Sequence, residues 1–485
     1  MKKKYLLFII IATLLAACTD DFDDYNVSKK LPGAVPGDAV FTSGQKNLVD
    51  HISTPNVNLN IFRLISQYWT ETTYTDEANY DLVNRTIPDY TFREYYRDAL
   101  KDLDEAAKLI ADEPTLTEDE AEANKNKLHI IELMMCYGYQ NLVDIFGNIP
   151  YSQALDLDKV TPAYDDQWVI YQDLMSRVNA AISGLNDSWG SFGNQDLIYN
   201  GDVAAWIMFG NSLKLKMGIA IADHDPALSK STVESAVAGA FASSADDALL
   251  WYGSAPPNSN PVHDELVLTG RKDFVGANTV VDIMNDLADP RLAAYFTQID
   301  TSSESGVVKL AYVGGVYGAS SPYALYSHVH PDITEATFPG ILLTYSELLF
   351  YLAEAAERGY SVGMTAKEAY DAAITESFDF WGIEDVASYL AKPEVDYDAA
   401  PGTWQEKIGI QAYLAFYTRG QEAWNEWRRL DHPTFAMPPN PFTDTIPKRY
   451  IYPINEQTLN PVNYAAASAA MGGDIVGNRV FWDKK

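Results

Sequence analysis

The 485-residue chain contains only two cysteines, Cys18 and Cys136. If Cys18 carries lipid, as its surroundings indicate below, Cys136 has no partner, which excludes an internal disulfide. Cys136 lies in the apolar run LHIIELMMCYGY, residues 128–139. A free cysteine in such a run behaves as a small hydrophobic side chain. The sequence therefore predicts that Cys136 is a buried core residue.

Positive charge is also scarce, with 35 Lys and Arg against 67 Asp and Glu, so the formal net charge is -32. Removing residues 1–17 takes away three lysines and no acid, which leaves -35. A surface this acidic repels nucleic acid and anionic lipid headgroups. Because no basic patch stands out in the sequence, a nucleic-acid partner is not expected.

The chain begins with an apolar run that is too short to cross a bilayer. Three lysines at 2–4 precede the apolar residues 5–17, whereas a transmembrane helix needs about 20 apolar residues. This order is typical of a secretory signal. Residues 15–18, Leu-Ala-Ala-Cys, resemble a bacterial lipobox. The resemblance implies a lipoprotein signal peptide at 1–17 and acylation of Cys18, which would anchor the chain to outer-membrane lipid. An ordinary signal with an incidental cysteine is the alternative.

Four aspartates, at positions 20, 21, 23 and 24, follow the cysteine. Charged residues without apolar periodicity favour a solvated tether, which we place at 18–40. The run also resembles the acidic surface-export signal of Bacteroidota lipoproteins, which would put the chain on the outer face of the cell. A plain spacer is the alternative.

Motifs for common catalytic sites are missing. The sequence has no G-x-S-x-G elbow, phosphate-binding loop or EF-hand calcium loop. His328 and His330 with Asp332 could approach a metal, but no third ligand follows at a spacing that fixes the geometry. We therefore expect no metal, no cofactor and no catalytic residue. The many carboxylates leave a glycosidase pair open, since the separation it needs is spatial.

Helix starts are the clearest local signals. A capping box, Ser or Thr followed three residues later by Glu, predicts a helix start. It occurs at Thr91/Glu94, Thr117/Glu120, Ser231/Glu234, Thr344/Glu347, Thr365/Glu368 and Thr403/Glu406. Loop-rich stretches, with many Gly, Pro, Ser and Asn residues, lie near 245–340 and 431–485. Binding residues are common on such loops.

Several stretches together resemble one family, the SusD/RagB surface lipoproteins of Bacteroidota, and in particular its second SusD-like subfamily. They are ISQYWTETTYTDEANYD (65–81), LVDIFGNIPYSQAL (142–155), DLADPRLAAYF (286–296), QEAWNEWRRLDHPTF (421–435), RYIYPINEQTLNPVNY (449–464) and the terminal VFWDKK. The resemblance covers essentially the whole mature chain.

The resemblance implies a mostly α-helical fold in a single domain, 41–485. A tetratricopeptide-like, right-handed frame of four helix pairs would carry long irregular loops on one side. On this sequence the pairs fall near 90–146, 164–223, 341–382 and 403–430.

The resemblance also implies a function. Members of the family are not enzymes. They capture a glycan or sometimes a peptide at the cell surface, and they form the lid of a SusC-like TonB-dependent outer-membrane transporter. Which ligand this chain binds stays open. So do two other functions, a lipid-anchored glycosidase and a periplasmic tetratricopeptide-like scaffold.

Candidate ligand-binding residues are aromatic or polar side chains on predicted loops, where such residues tend to bind. In glycan-binding relatives, the region after the first helix contributes to the ligand surface. Arg271 is also open to a structural interpretation, a buried ion pair with an acid. The candidates are Tyr74, Asn79, Tyr80, Arg85, Trp251, Tyr252, Arg271, Tyr323 and Tyr326.

Overall fold

The computed structural model describes residues 35–302 and 308–485, and within them it is mostly helical. The helices are α1 Gly37–Ser53, α2 Phe62–Ile65, α3 Ile87–Arg93, α4 Lys101–Asp112, α5 Glu118–Phe146, α6 Gln167–Gly184, α7 Val203–Ala220, α8 Pro226–Ala236, α9 Pro261–His263, α10 Asn278–Asp286, α11 Leu292–Tyr295, α12 Tyr345–Glu357, α13 Ala366–Phe380, α14 Val386–Leu390, α15 Trp404–Ala415, α16 Gly420–Leu430, α17 Ile454–Leu459 and α18 Pro461–Ala470. A π-helical segment, Glu94–Leu100, joins α3 to α4.

Four of the six predicted capping boxes mark real helix starts. Thr117 and Thr365 cap α5 and α13 with both reciprocal hydrogen bonds, and Thr344 and Thr403 cap α12 and α15. Thr91 and Ser231 instead lie inside α3 and α8. Those helices start earlier, each with a proline in its first turn, Pro88 and Pro226. Proline is favoured there because its missing N–H has no helical partner at that position.

The first helix begins earlier than the sequence indicates. It starts at Gly37, four residues before the expected domain boundary at 41, so the end of the proposed tether is helical. Residues Gly37–Lys485 form one compact unit. Cys18, the signal peptide 1–17 and the four aspartates lie outside the described residues.

Successive helices pack on one another to form the frame. Helix α5 packs on α6, α6 on α7 and α7 on α8, and in the second half α12 packs on α13 and α15. Contact between α7 and α12 joins the halves. Buried charges reinforce this junction: Lys216 Nζ of α7 lies 3.2 Å from a carboxylate oxygen of Glu347 and 2.5 Å from one of Glu422.

The strands are short and come from the loops. In the described ranges there are four two-stranded antiparallel sheets, β1 with β5, β2 with β3, β4 with β8 and β6 with β7. Their bounds are β1 Trp69–Glu71, β2 Ile149–Pro150, β3 Tyr164–Asp165, β4 Ala248–Leu250, β5 Phe274–Gly276, β6 Ile299–Asp300, β7 Leu310–Ala311 and β8 Gly340–Leu343. Such short pairs fasten loops that are distant in sequence, and the core itself is built by the helices.

The core is large and contains residues from both frame and loops. Cys136 is fully buried, as predicted. Trp69 is also buried, although it does not continue the helix that contains Phe62 and Ile65. Helix α2 ends at Ile65, and Trp69 begins β1, where its indole N–H donates to Tyr417 Oη at 2.8 Å.

Candidate functional site

A polar cleft lies where β1 and β5 meet the loop that follows α1. Antiparallel pairing places Glu71 opposite Phe274, although about 200 residues separate them in sequence. The cleft is narrow: it has room of about 60 Å³ for the centres of water-sized molecules, and about 540 Å³ of space in all when the part that opens to solvent is included. Its lining comes from three parts of the chain: 55–58, 71–85 and 265–274.

Tyr74 stands at the mouth of this cleft as its exposed aromatic group. Its side chain is 76% exposed, which is unusual for a tyrosine in this protein. The backbone before it is fixed, since Thr72 N donates to Asp273 O at 2.9 Å and Thr72 Oγ1 donates to Lys272 O at 2.8 Å. A fixed loop thus presents a free ring, which suits stacking on the apolar face of a sugar.

Two buried carboxyl groups, Glu71 and Glu77, form the floor of the cleft. Glu71 Oε2 accepts a hydrogen bond from Ala78 N at 2.9 Å, and Glu77 Oε1 accepts one from Arg85 Nε. Burial, followed by repulsion from the Glu77 carboxylate, raises the pKa of Glu71 to about 9. At neutral pH Glu71 is therefore a neutral acid, and the Glu77 charge is balanced by Arg85.

Arg271 and Asp273 form a second ion pair on the opposite wall, with Nε and Oδ2 2.7 Å apart. The expectation of a buried ion pair is wrong in one respect, because the side chains are 58% and 41% exposed. The two residues lie two positions apart in the irregular segment before β5, and their pair is at the surface. Next to them, Glu265 Oε1 accepts from Asn56 Nδ2 at 2.7 Å.

Three of the predicted ligand-binding residues, Asn79, Tyr80 and Tyr252, lie on loops but have buried side chains. Asn79 Nδ2 donates to Gly318 O at 2.7 Å, and Asn79 Oδ1 accepts from Asn440 N at 3.0 Å, so Asn79 fastens two loops together. Tyr80 is 1% exposed. Tyr252 is 6% exposed, and its hydroxyl donates to Asp50 Oδ1 at 2.8 Å.

The other three candidates lie outside the cleft lining. Trp251 is 66% exposed, directly after β4. Tyr323 and Tyr326 are half-buried. The Tyr323 ring stacks on the His328 ring, and the two ring centroids are 3.7 Å apart. Lys272 Nζ lies 5.2 Å from the centroid of Tyr323, so this aromatic pair neighbours the Arg271 wall.

His328 and His330, which were considered as metal ligands with Asp332, form hydrogen bonds within the protein. His328 Nε2 lies 2.7 Å from Tyr323 O, and His330 Nδ1 accepts from Asp332 N at 3.3 Å. Within 35–302 and 308–485, no group of three or more His, Cys, Asp or Glu side chains is placed to hold a metal ion.

The structure brings together three predicted residues, Tyr74, Arg85 and Arg271, and adds others that sequence reasoning missed. The added residues are Asn56, Asn58, Glu71, Glu77, Glu265 and Asp273. Only Asp273 had a local signal, its position two residues after Arg271. The pairing of β1 with β5 brings Glu71 and Glu77 to the segment that holds Glu265, and the loop after α1 supplies Asn56 and Asn58. Nothing in their neighbouring sequence indicates this arrangement.

A second, wider cleft of about 1120 Å³, including open space, lies on the frame between α4, α5, α6 and residues 151–157. An apolar patch continues from its edge, formed by four exposed side chains: Leu157 (81%), Val160 (86%), Leu459 (71%) and Val462 (79%). Asn463 Nδ2 donates to Thr161 O at 2.9 Å, so α18 lies against this loop.

Among the helices of the described residues, none is both long and apolar enough to span a bilayer.

The family model that matches the chain is SusD-like and is described as "starch-binding associating with outer membrane"; it matches residues 28–453. No curated protein matches the sequence.

Several solved structures share this fold. A chitin-binding protein superposes with a TM-score of 0.78 at 24% identity, covering 93% of this chain and 100% of that one. A chitin-binding SusD homologue from Flavobacterium johnsoniae gives 0.75 at 22%, covering 92% and 99%. A SusD homologue from Bacteroides uniformis gives 0.75 at 25%, covering 92% and 99%. The predicted mostly helical, tetratricopeptide-like fold is thereby confirmed.

Proposed function

Because the chain belongs to the SusD-like family, we propose that it is a non-catalytic surface lipoprotein that binds a glycan and delivers it to a SusC-like TonB-dependent transporter as its lid. The cleft carries the binding part of this proposal. It places the exposed Tyr74 ring beside the guanidinium groups of Arg85 and Arg271. An aromatic platform with a few placed polar groups is the usual form of such a site.

A chitin oligomer is the first ligand to test, since two proteins of similar fold are chitin-binding. Full-length protein in detergent should bind the N-acetylglucosamine hexamer without releasing shorter products, as measured by calorimetry and chromatography. Tyr74→Ala should weaken binding by about tenfold, because a stacking aromatic group contributes on the order of 1 kcal/mol or more. Unfolding should be unchanged, since the ring is exposed.

Trp251→Ala is the matched comparison, because Trp251 is also an exposed aromatic residue but lies outside the cleft lining. We expect this variant to bind like the wild type. Loss of binding in Trp251→Ala, with Tyr74→Ala unaffected, would move the ligand to the loop after β4 and contradict a site at this cleft.

The apolar patch of Leu157, Val160, Leu459 and Val462 supports docking to a protein partner. Soluble monomers rarely expose large contiguous apolar patches. We propose that this patch contacts the transporter. A Val160→Glu/Val462→Glu variant should lose co-purification with an outer-membrane barrel while glycan binding in detergent persists. Leu116→Glu, an equally exposed apolar site on the frame (89%), is the control and should retain the barrel. Equal recovery of the barrel with both variants would refute docking at the patch.

The surface location and the lipid anchor are tested separately. Metabolic labelling with a fatty acid should mark the wild type and not Cys18→Ser. Protease added to intact cells should digest the protein, whereas protection would favour a periplasmic scaffold.

One observation favours the alternative of a lipid-anchored glycosidase, the Glu71–Glu77 carboxyl pair with one neutral acid. Glycosidases use two carboxyl groups in different protonation states. Glu71 is 4% exposed and Glu77 is 1% exposed, so a glycosidic bond has little access to either carboxyl group. Product release from a glycan that disappears in Glu71→Gln would establish this alternative.

A further inference from the structure

The charges in the cleft are arranged so that neither arginine is free. Arg85 is paired with Glu77, and Arg271 is paired with Asp273. An arginine that recognises an acidic ligand normally offers its guanidinium fork to the incoming carboxylate or sulfate. Here each guanidinium already faces a carboxylate from the protein.

The remaining titratable groups in the lining add negative charge. Glu265 is held by the uncharged Asn56, so its carboxylate has no cationic partner among the cleft residues. Glu71 is neutral at pH 7, because it is buried beside Glu77. The lining thus holds two positive and three negative groups, in a protein whose formal net charge is -32.

We propose that this cleft selects uncharged and amino-bearing glycans and rejects acidic ones, such as uronate-containing or sulfated chains. The inference rests on the proposed function and specifies the ligand class of the same site. An acidic sugar would have to displace Glu77 or Asp273 from its arginine, or bind close to Glu265. Building repulsive groups against the wrong partner is a general route to specificity.

Neutral sugars avoid this cost. A guanidinium group has five N–H donors, and one carboxylate does not use them all. Arg271 is more than half exposed, so it still has donors for sugar hydroxyl or acetamido oxygens. An ammonium group on an amino sugar could form an ion pair with the Glu265 carboxylate. The same pairs that exclude an acid therefore leave hydrogen bonding to a neutral chain intact.

The test uses three hexamers with one β-1,4 backbone: the N-acetylated form, the de-N-acetylated form with free amines, and a form whose 6-hydroxymethyl groups are oxidised to carboxylates. Each is titrated into full-length protein in detergent at low and moderate salt. We expect the carboxylated hexamer to bind at least about tenfold more weakly than the N-acetylated one at low salt, with a smaller difference at moderate salt, since salt screens repulsion. The amine form should bind at least as well as the N-acetylated form.

Asp273→Asn frees Arg271 and gives the sharper result. The Asp273 side chain is 41% exposed, so folding should be maintained. We expect this variant to bind the carboxylated hexamer severalfold more tightly than wild type, which narrows the difference in affinity between the carboxylated and the N-acetylated hexamer. Asp187→Asn, which removes the same charge from an exposed site outside the cleft, should leave both affinities unchanged.

The possible outcomes distinguish charge selection at the cleft from glycan binding as such. Equal binding of the carboxylated and N-acetylated hexamers, or equal gains from Asp187→Asn and Asp273→Asn, would overturn charge selection and leave glycan binding intact. Failure of all three hexamers to bind would overturn the glycan-binding function together with this inference.

Discussion

Replacing Glu71 with glutamine tests the proton held at the floor of the cleft. Glu71 is 4% exposed, and its Oε2 accepts a hydrogen bond from Ala78 N at 2.9 Å. The charged groups that act on it are Glu77, whose carboxylate raises its pKa, and Arg85, which opposes that rise. Glutamine has the shape of a protonated glutamic acid and keeps an acceptor for Ala78. The Glu71→Gln variant should therefore fold with the contacts of the neutral wild-type acid.

The expected magnitude follows from the two pKa values of Glu71, the ordinary 4.5 in the unfolded chain and about 9 in the folded protein. Between these values the folded state holds a proton that the unfolded state has released. The stability of the wild type therefore falls as pH rises, by about 1.4 kcal/mol for each pH unit, and levels off above the folded pKa. Glutamine has no such proton, so the unfolding free energy of Glu71→Gln should rise relative to that of the wild type by about 4 kcal/mol between pH 5.5 and 8.5.

The assay is urea denaturation of both proteins at pH 5.5, 7.0 and 8.5, with the difference in unfolding free energy plotted against pH. Other titrating groups, such as Asp144 and Asp247, whose pKa values burial raises to about 7, cancel in this difference. Glu394→Gln, at an exposed carboxyl, should give a flat line near zero. A flat line for Glu71→Gln would show that Glu71 is ionised in the folded protein and would refute the reasoning.

Three further substitutions test buried pairing, close packing and helix capping elsewhere in the fold. Asp289→Asn should destabilise the protein by about 3 kcal/mol, because it leaves the fully buried guanidinium of Arg291 without its carboxylate, now 2.6 Å away. Gly420→Ala should cost about 1–3 kcal/mol, since its Cβ would lie 2.4 Å from Arg63 N, a backbone atom that cannot rotate away. Thr117→Ala should cost about 1 kcal/mol, because it removes the cap of α5. Urea denaturation measures all three.

Each substitution has a matched control. Asp187→Asn changes an exposed acid, Gly190→Ala places a methyl group where no atom lies within 4 Å, and Ser231→Ala alters a predicted cap that lies inside α8. All three should stay close to the wild type. A loss in Ser231→Ala equal to that in Thr117→Ala would show that cap position does not explain the effect, and equal losses in the other pairs would contradict the packing explanations.

The candidate binding residues show how far the sequence predicts the site. Tyr74, Arg85 and Arg271 were selected as polar or aromatic groups on loops, and the structure gathers them in one cleft. By the same criterion Asn79 and Tyr80 were selected, and they are buried. Loop position does not distinguish a side chain that faces solvent from one that fastens two loops, because burial depends on which distant segment covers it.

The sequence by itself determined four helix starts, at Thr117, Thr344, Thr365 and Thr403, while its resemblance to the SusD/RagB family implied the mostly helical fold class. The helix starts are local properties, since a capping box joins residues three apart. It also determined that Cys136 is a core residue, because the run around it is apolar.

Only the tertiary structure decided the cleft and its charge. Glu71 meets Phe274 through strand pairing across about 200 residues, and Glu71 keeps its proton because burial and Glu77 both disfavour its charged form. Pairing and burial of this kind depend on how the whole chain packs, so no short stretch of sequence encodes them.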